Sequence, residues 1–311
     1  MNEKKNIKIT VIILTYNEEM HIERCISSAR QVTDSIYVVD SYSTDSTLDI
    51  VRNMNVNYVS RKFDSHTQQF NWGLEQIDPC EWVIRLDADE YLEQDLISSI
   101  LKGVNENDKS IAGFAFNRRI RFLGKDIFRG GVFPVEVVRM FRYGFGVVEP
   151  RLMDEHIIVN GNTQSLRGWL VDDNVNSLSW WIDKHNRYSS LEALEVFCSD
   201  YKHIKKKKLS GATYRRRLIK NLYLFIPVPF RASLFFVYRY VIRLGFLEGF
   251  KGFLFHFFQG YWYRLLVDAK YNLLVEASLS GELTIQKCAE ILNVAEALVE
   301  SKVSSGDLNF K

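Results

Sequence analysis

The feature that most constrains this chain is a largely apolar run that ends abruptly in carboxylates. Residues Trp82 to Leu86 have the character of a buried strand, and the segment Asp87-Ala88-Asp89-Glu90 follows at once. In an open α/β sheet, ligands bind outside the carboxyl ends of the strands. Two carboxylates one residue apart at a turn can hold a hard divalent cation, which can in turn hold phosphates. The segment therefore predicts a ligand site at a strand end.

Two strands further upstream end in the same way. Ile7 to Leu14 runs into the polar turn Thr15-Tyr16-Asn17-Glu18-Glu19, and Ile36 to Val39 runs into Asp40. The patterns between these strands predict helices over 22–29, 47–54 and 65–77 and a short strand over 56–59. Strands and helices that alternate at this length predict an α/β fold with a mostly parallel sheet and helices on both faces. All three polar turns then lie at one edge of that sheet.

The charge of the chain is distributed unevenly. The net charge is only +2, but the window from Tyr201 to Lys270 holds 15 Lys and Arg against two acidic residues, a local balance of +13. The same window is rich in aromatic residues. Arg231, Arg239 and Arg243 are expected to share one helical face, with Phe235, Phe236, Val237 and Ile242 opposite. This pattern predicts a helix that lies in a membrane interface, with its arginines toward anionic headgroups.

The runs Lys205–Lys208 and Arg215–Arg217 strengthen the prediction of an anionic membrane surface as a partner. The alternative is a core helical hairpin with a solvated basic face. Nucleic acid is not expected as a partner, because no recognisable RNA- or DNA-binding module accompanies the charge. Four scattered cysteines without a Cys-x-x-Cys pair are predicted to be reduced thiols, as suits a cytoplasmic protein.

Taken together, the motifs resemble glycosyltransferase family 2 over roughly residues 7 to 200. They are the Thr15–Glu19 turn, the pattern Asp40-x-x-x-x-Asp45-x-Thr47, and Leu86-Asp87-Ala88-Asp89-Glu90. The resemblance is closest to the bacterial branch that builds lipopolysaccharide core, O-antigen or capsule sugars. It implies a GT-A fold, a nucleotide-sugar donor, a divalent metal and inversion at the anomeric carbon. Oxygen ligands and a phosphate partner favour Mg²⁺ or Mn²⁺.

The resemblance also implies roles for single residues in binding the donor. The residues expected to do so are Thr15, Tyr16, Asn17, Glu18, Asp40, Arg61, Gln69, Asn71, Asp87, Ala88 and Asp89. Asp40 would accept a hydrogen bond from the ring N–H of the base. Asn17 and Glu18 could instead cap the first helix, and Asp45 the second.

Asp89 is the first choice as metal ligand. Asp87 would contact the ribose, or the metal through water, and His156 could be a third ligand or simply orient the base. Glu90 could instead pair with a nearby arginine. An inverting transfer also needs a carboxylate that takes the proton of the acceptor hydroxyl. Where this family commonly places that base, the chain has Asp154 and Glu155, and the pattern favours Glu155.

We expect three regions: a GT-A domain over residues 1–200, basic aromatic membrane-interface helices over 201–275, and a small helical tail over 276–311. The expected reaction moves one sugar, with a UDP-sugar favoured as donor, to a lipid-linked or lipid-anchored saccharide. It would occur on the cytoplasmic face of the cytoplasmic membrane. One alternative is a peripheral membrane scaffold without turnover. The other is a metal-dependent nucleotidyltransferase, which would want a glycine-rich phosphate loop after the first strand.

Overall fold

The structure, a computed structural model, describes residues 8–106, 108–149, 155–203 and 228–305. The chain divides into two compact units, residues 1–176 and 177–311, called here the N-terminal and C-terminal units. The domain boundary predicted at residue 200 falls inside a helix of the C-terminal unit, Leu178–His203.

The first half of the N-terminal unit alternates strands and helices as the sequence predicts. Its elements are β1 (Ile9–Thr15), α1 (Ile22–Ala29), β2 (Ile36–Asp40), α2 (Thr47–Asn53), β3 (Asn57–Ser60), α3 (His66–Gln76) and β4 (Trp82–Asp87). Strand β1 pairs in parallel with β2 and β4, and β2 pairs in parallel with β3. The inner strands of this parallel part, β1 and β2, are almost continuously apolar because helices cover both faces of the sheet.

The second half of this unit adds antiparallel strands. Its elements are β5 (Glu90–Leu92), α4 (Gln94–Glu106), β6 (Ile111–Phe122), β7 (Lys125–Asp126), β8 (Val135–Arg142), β9 (Gly146–Val148), β10 (Ile157–Val159) and β11 (Asn162–Asp173). The strand order of the main sheet is β3-β2-β1-β4-β8-β6-β11-β5, with β7 beside β6. Strand β8 is antiparallel to both β4 and β6. Strand β11 pairs with β6 in parallel and with β5 antiparallel. The sheet as a whole is therefore mixed, and its β1–β4 part is the parallel sheet that the sequence predicts. Strands β9 and β10 form a separate antiparallel pair.

Alternate side chains of β1 pack into two core layers, one on each face of the sheet. Val11 and Ile13 pack in the core layer that contains α1 and α4. Ile12 and Leu14 belong to the opposite layer, which contains Phe70 of α3. Since successive side chains of a strand point to opposite faces, this strand is buried on both sides and its carboxyl end is held rigidly.

The C-terminal unit is helical throughout its described residues. Its elements are α5 (Leu178–His203), α6 (Val228–Val237), a π-helix (Tyr238–Ile242), a 3₁₀ helix (Gly245–Glu248), α7 (Gly249–Phe255), a second π-helix (His256–Trp262), α8 (Tyr263–Leu279), α9 (Ile285–Leu292) and α10 (Glu296–Ser304). Aromatic rings meet between these helices: Phe236 stacks on Tyr240 with centroids 5.2 Å apart and meets Phe253 edge-on. Within the described ranges, no helix combines the length and the apolar character that crossing a bilayer requires.

The sequence predicts an exposed basic face formed by Arg231, Arg239 and Arg243. This prediction is wrong for Arg231 and Arg239, which are buried. Arg231 is buried and paired with Asp268 of α8. Arg239 is also buried, where it donates to Gln259 and lies over the rings of Phe235 and Phe255. Only Arg243 is exposed. A partner from another helix draws each buried guanidinium inward, and helical spacing alone does not reveal such partners. The Lys205–Lys208 and Arg215–Arg217 runs lie outside the described residues.

Candidate active site

The carboxyl ends of three neighbouring parallel strands lie side by side. Thr15, the last residue of β1, is in register with Asp40 at the end of β2. On the other side of β1, Leu14 is in register with Asp87 at the end of β4. The three polar turns predicted from the sequence therefore share one sheet edge, and this part of the prediction is confirmed.

Hydrogen bonds join the turns after β1 and β2, and in each of them a side-chain oxygen of one turn accepts from a backbone N–H of the other. The amide oxygen of Asn17 accepts from the N–H of Thr44 at 2.8 Å, and the N–H of Asn17 donates to Ser43 at 2.9 Å. Thr47 Oγ1 accepts from the N–H of Glu18 at 2.8 Å, and Asp45 accepts from the N–H of Glu19 at 3.1 Å. Asn17 thus holds the β2–α2 turn, and its side chain does not cap α1.

Asp40 is fully buried beneath these turns. Its carboxylate accepts from the hydroxyl of Ser43 at 2.5 Å and from the N–H of Ser43 at 3.1 Å, and Ser60 Oγ lies 3.4 Å away. Ser43 follows Tyr42, whose ring is exposed and whose φ is +62°. The carboxylate therefore stabilises the turn that presents Tyr42 at the edge, where exposed Tyr16 also lies.

Helix α3 connects this edge to the region of the predicted base. Ser65 caps the helix by accepting from the N–H of Gln68 at 3.2 Å. The buried amide of Gln69 donates to Ser41 at 3.1 Å and to the carbonyl of Arg61 at 3.3 Å. The Arg61 guanidinium donates to Gln68 O and pairs with Asp64 at 3.2 Å.

The other side of α3 holds the β9–β10 pair. Asn71 bonds both the carbonyl and the N–H of Val148, at 3.2 and 3.1 Å, and Thr67 donates to the carbonyl of Glu149 at 2.8 Å. Glu155, half-buried, directly precedes the β10 end of this pair. Asp154, the competing candidate for the base, lies outside the described residues.

Asp87 is held by two arginines. Its two carboxylate oxygens lie 3.2 Å from Arg85 and 3.0 Å from Arg139. Arg139, on β8, is buried and also pairs with buried Glu90, which accepts from the N–H of Asp87 at 3.0 Å. The predicted pairing of Glu90 with a nearby arginine is thus present in the structure.

Asp87 and Glu90 share the guanidinium of Arg139, but their pKa values are shifted in opposite directions. Burial raises the pKa of Asp87, but the charges of Arg85 and Arg139 outweigh burial and hold that pKa well below its ordinary value. Burial, together with the charge of Asp87, raises the pKa of Glu90 to about 8, against the opposing effect of Arg139. At neutral pH Asp87 is therefore ionised and ion-paired.

Asp89 is bonded by residues at the end of β11 and just after it. Asn174 donates to its carboxylate at 3.1 Å, and the N–H of Asp173 donates to its backbone carbonyl at 3.1 Å. The side chain is half-buried at the sheet edge, after buried Ala88. Bonds at both its carboxylate and its backbone orient this residue.

The predicted metal set of Asp87, Asp89 and His156 is not brought together. His156 is exposed, and its ring nitrogen Nδ1 lies 2.9 Å from Glu149. Among the described residues, no group of three or more His, Cys, Asp or Glu side chains is placed to hold a metal ion. A half-buried carboxylate at the edge still fits a hard cation of the Mg²⁺ or Mn²⁺ type, because such ions bind through one or two carboxylates plus water and substrate phosphates. Asp87 meets that description poorly, because its oxygens face two arginines.

Sequence reasoning missed Arg139, Asn174 and Glu149. Each lies on or directly after a later strand. The separation is 49 residues for Arg139 and Glu90 and 85 for Asn174 and Asp89, so long-range pairing brings these partners together. No local pattern marks Arg139, since it is one arginine among several on neighbouring strands.

Comparison with known proteins agrees with this geometry. Residues 10–141 match the family model Glycosyl transferase family 2. That part of the chain is a family 2 glycosyltransferase domain, and the family indicated by the motifs is confirmed. Uncharacterized glycosyltransferase RT0209 of Rickettsia typhi is 36% identical over 93 residues, 30% of this chain and 32% of that protein. The matched region spans about a third of the length of this and the other Rickettsia relatives.

A longer match bears on the branch of the family. Lipopolysaccharide core biosynthesis glycosyltransferase LpsC of Rhizobium meliloti is 27% identical over 194 residues, 60% of this chain and 71% of that protein. This likeness supports the bacterial lipopolysaccharide branch.

Two solved structures are similar to this chain at low scores. Mannosyltransferase PcManGT from Pyrobaculum calidifontis, in complex with GDP-Man and Mn²⁺, has a TM-score of 0.47 and 15% identity over 87% of this chain and 88% of that chain. Glucosyl-3-phosphoglycerate synthase from Mycobacterium tuberculosis, in complex with Mn²⁺ and UDP-glucose, has a TM-score of 0.32 and 21% identity over 38% of this chain and 45% of that chain. These ligands belong to those proteins, and scores at this level carry no argument about the site described above.

Proposed function

We propose that the chain is an inverting, metal-dependent glycosyltransferase. It moves one sugar from a nucleoside diphosphate sugar, with a UDP-sugar favoured, to a lipid-linked or lipid-anchored saccharide in the synthesis of a cell-surface polysaccharide. The reaction takes place on the cytoplasmic face of the cytoplasmic membrane. The observation that carries the proposal is the meeting of the Thr15, Asp40 and Asp87 strand ends at one edge, with Asp89 oriented beside them.

In this proposal the nucleoside lies against the turns after β1 and β2, whose exposed rings are Tyr16 and Tyr42. Asp40 and Asn17 keep those turns in place through the hydrogen bonds described above. Asp89 would hold the divalent cation with its carboxylate. A cation bound there would supply positive charge to the diphosphate as negative charge develops on it.

Glu155 is the proposed general base, with Asp154 as the alternative. Its carboxylate takes the proton of the acceptor hydroxyl while that oxygen attacks the anomeric carbon on the face opposite the leaving diphosphate. The Thr67 and Asn71 hydrogen bonds to the β9–β10 pair connect this base to the helix that also reaches the Asp40 turn. The acceptor class is proposed from the likeness to LpsC and from the basic, aromatic character of residues 201–270.

The two alternatives make different demands. A scaffold without turnover has no use for an oriented carboxylate at Asp89. A nucleotidyltransferase would want a glycine-rich phosphate loop after β1, and the turn there is Thr15-Tyr16-Asn17-Glu18. The transferase is therefore the function that the site supports best.

The test is a panel of UDP- and GDP-sugars assayed for metal-dependent binding and hydrolysis. We expect one donor to bind with Mg²⁺ or Mn²⁺, and excess chelator to remove that binding. Asp89→Ala should abolish metal-dependent donor binding and transfer while changing the free energy of unfolding by less than about 1 kcal/mol, since an edge carboxylate contributes little packing.

The matched control is Asp49→Ala, which removes an exposed carboxylate from α2. It should leave donor binding and turnover unchanged. Full turnover of the wild-type protein in excess chelator would refute the metal-dependent mechanism.

A further inference from the structure

One face of the C-terminal unit is apolar and exposed. Six side chains recur at helical spacing along α6 and the π-helix that follows it, and all six are exposed: Phe230, Leu234, Val237, Tyr238, Val241 and Ile242. The stripe is not a minor feature of the surface, because Ile242 alone is 66% exposed. A helix of a water-soluble protein normally turns such a stripe toward its core.

The arginines on the opposite side of the same helical segment are buried in the C-terminal unit. Arg231 is buried in its pair with Asp268, and Arg239 is buried against Gln259 and two phenylalanine rings. Burial, and then the charge of Arg264, lower the pKa of Arg239 to about 10. The segment is thus inverted relative to an ordinary surface helix, with arginines inside and apolar residues outside.

The exposed apolar character continues into the next elements. Leu244, Phe246, Leu247 and Phe250 are exposed along the 3₁₀ helix and the start of α7, and Phe250 is 74% exposed. Two exposed basic residues, Arg243 and Lys251, lie among them. Large apolar surfaces of this kind with basic residues among them are typical of surfaces that bind a protein or a membrane.

We infer that residues 230–250 form a bilayer-insertion face, which enters the interface of an anionic membrane with its apolar side chains. Two observations favour a membrane as the occupant. Arg243 and Lys251 would meet anionic headgroups beside the inserted residues. The sequence between α5 and α6 also carries the Lys205–Lys208 and Arg215–Arg217 runs, whose charge is of the sign that anionic headgroups attract.

A second copy of the chain fits less well. In a symmetric dimer the same patch meets itself, which would bring Arg243, Lys251 and their copies of like charge together. The inference deepens the membrane part of the proposed function and rests on it. The sequence predicted that a basic face of three arginines binds the membrane. In the present inference, insertion of apolar side chains makes the main contribution to membrane binding.

The test is flotation of the full-length protein with vesicles of phosphatidylglycerol and phosphatidylcholine. We expect binding at low salt and a retained bound fraction at about 1 M salt, where charge attraction is screened beyond about 3 Å but apolar insertion is not. Ile242→Gln combined with Phe250→Gln should lower partitioning at least about tenfold, because two large apolar side chains no longer enter the interface. Both side chains are exposed, so the variant should fold normally.

The matched control is Leu273→Gln combined with Leu279→Gln on α8. These leucines are 49% and 83% exposed but lie outside the proposed face, so the control should bind vesicles like the wild type. The inference is overturned if wild-type protein stays in solution with anionic vesicles at low salt, or if the Ile242/Phe250 variant binds equally well. It is also overturned if that variant loses only self-association in sedimentation velocity.

Metal-dependent hydrolysis of the donor in solution, measured on the same samples, separates the two proposals. It should be unchanged in the Ile242/Phe250 variant. Vesicle binding without any donor hydrolysis would refute the transferase and leave the insertion face standing.

Discussion

At the scale of single residues, Arg139 determines the geometry of the acidic turn. Its guanidinium pairs with both Asp87 and Glu90, and Glu90 in turn accepts from the N–H of Asp87. Two carboxylates this close would repel each other without the shared cation. The arrangement commits Asp87 to ion pairs and so makes it a poor candidate for direct metal binding.

Replacement of Arg139 by methionine should therefore be costly. We expect Arg139→Met to lower the free energy of unfolding by about 3–5 kcal/mol, because it removes a buried, charged hydrogen-bond donor that Asp87 and Glu90 share. Combining it with Glu90→Gln should restore part of the loss. Urea denaturation measures both effects.

Arg52→Met is the control, since Arg52 pairs with Asp49 at the surface, where water and salt screen the pair, and its effect should be much smaller. Equal effects of the two arginine substitutions would show that the buried pair does not stabilise the fold.

The raised pKa of Glu90 makes a prediction about pH. The ordinary value is 4.5 and the folded value is about 8, so the native chain holds this proton more tightly than the unfolded chain. The contribution to stability is fully present below pH 4.5 and is lost as pH rises toward 8. The free energy of unfolding of the wild type should thus fall relative to Glu90→Gln by about 1 kcal/mol per pH unit over this range.

Urea denaturation at intervals between these two pH values checks the trend. Glu75→Gln on the exposed side of α3 serves as the control and should show a constant difference from the wild type. A constant difference for Glu90→Gln as well would mean that Glu90 is ionised throughout.

At the scale of elements, α3 joins the two halves of the candidate site. One side of the helix supports the Asp40 turn through Gln69, and the other holds the β9–β10 pair through Thr67 and Asn71. Asn71 was expected to contact the donor. Its amide bonds both the carbonyl and the N–H of Val148, so in the structure Asn71 positions strand β9; its contact with the donor stays a prediction.

The role of that segment is tested by exchanging its carboxylates for amides. Glu155→Gln should lower the rate of the chemical step by roughly two to four orders of magnitude with donor affinity preserved, because the amide cannot take the proton. Asp154→Asn should cause a milder loss. Single-turnover kinetics and donor titration separate the two quantities. The reverse ranking would assign the base to Asp154, and two near-normal variants would place the base outside this segment.

At the scale of the whole molecule, the two compact units carry different parts of the proposed function. The N-terminal unit contains the acidic sheet edge and the family 2 match. The C-terminal unit contains the apolar face and the whole window 201–270, whose charge balance is +13 in a chain of net charge +2. Donor chemistry and membrane binding can therefore be disrupted separately by substitutions in the two units.

The sequence by itself determined the features that depend on short-range patterns. Apolar runs and helical spacing located β1 to β4 and α1 to α3 within a few residues, because each element is set by neighbours along the chain. The position of Asp40 and Asp87 at strand ends followed from the same runs, and parallel pairing then required a shared edge. The antiparallel strands β5 to β8 were not predicted, since their pairing depends on partners distant in sequence.

Only the tertiary structure decided which charges are paired. Arg139 reaches Asp87 from a strand 52 residues later, and Arg231 reaches Asp268 from a helix 37 residues earlier. Helical spacing predicted that Arg231 and Arg239 would share a face, but it could not say whether that face meets water or another helix. The outcome depends on where the chain folds back, because a guanidinium is buried only where a distant residue offers a carboxylate, an amide or an aromatic ring.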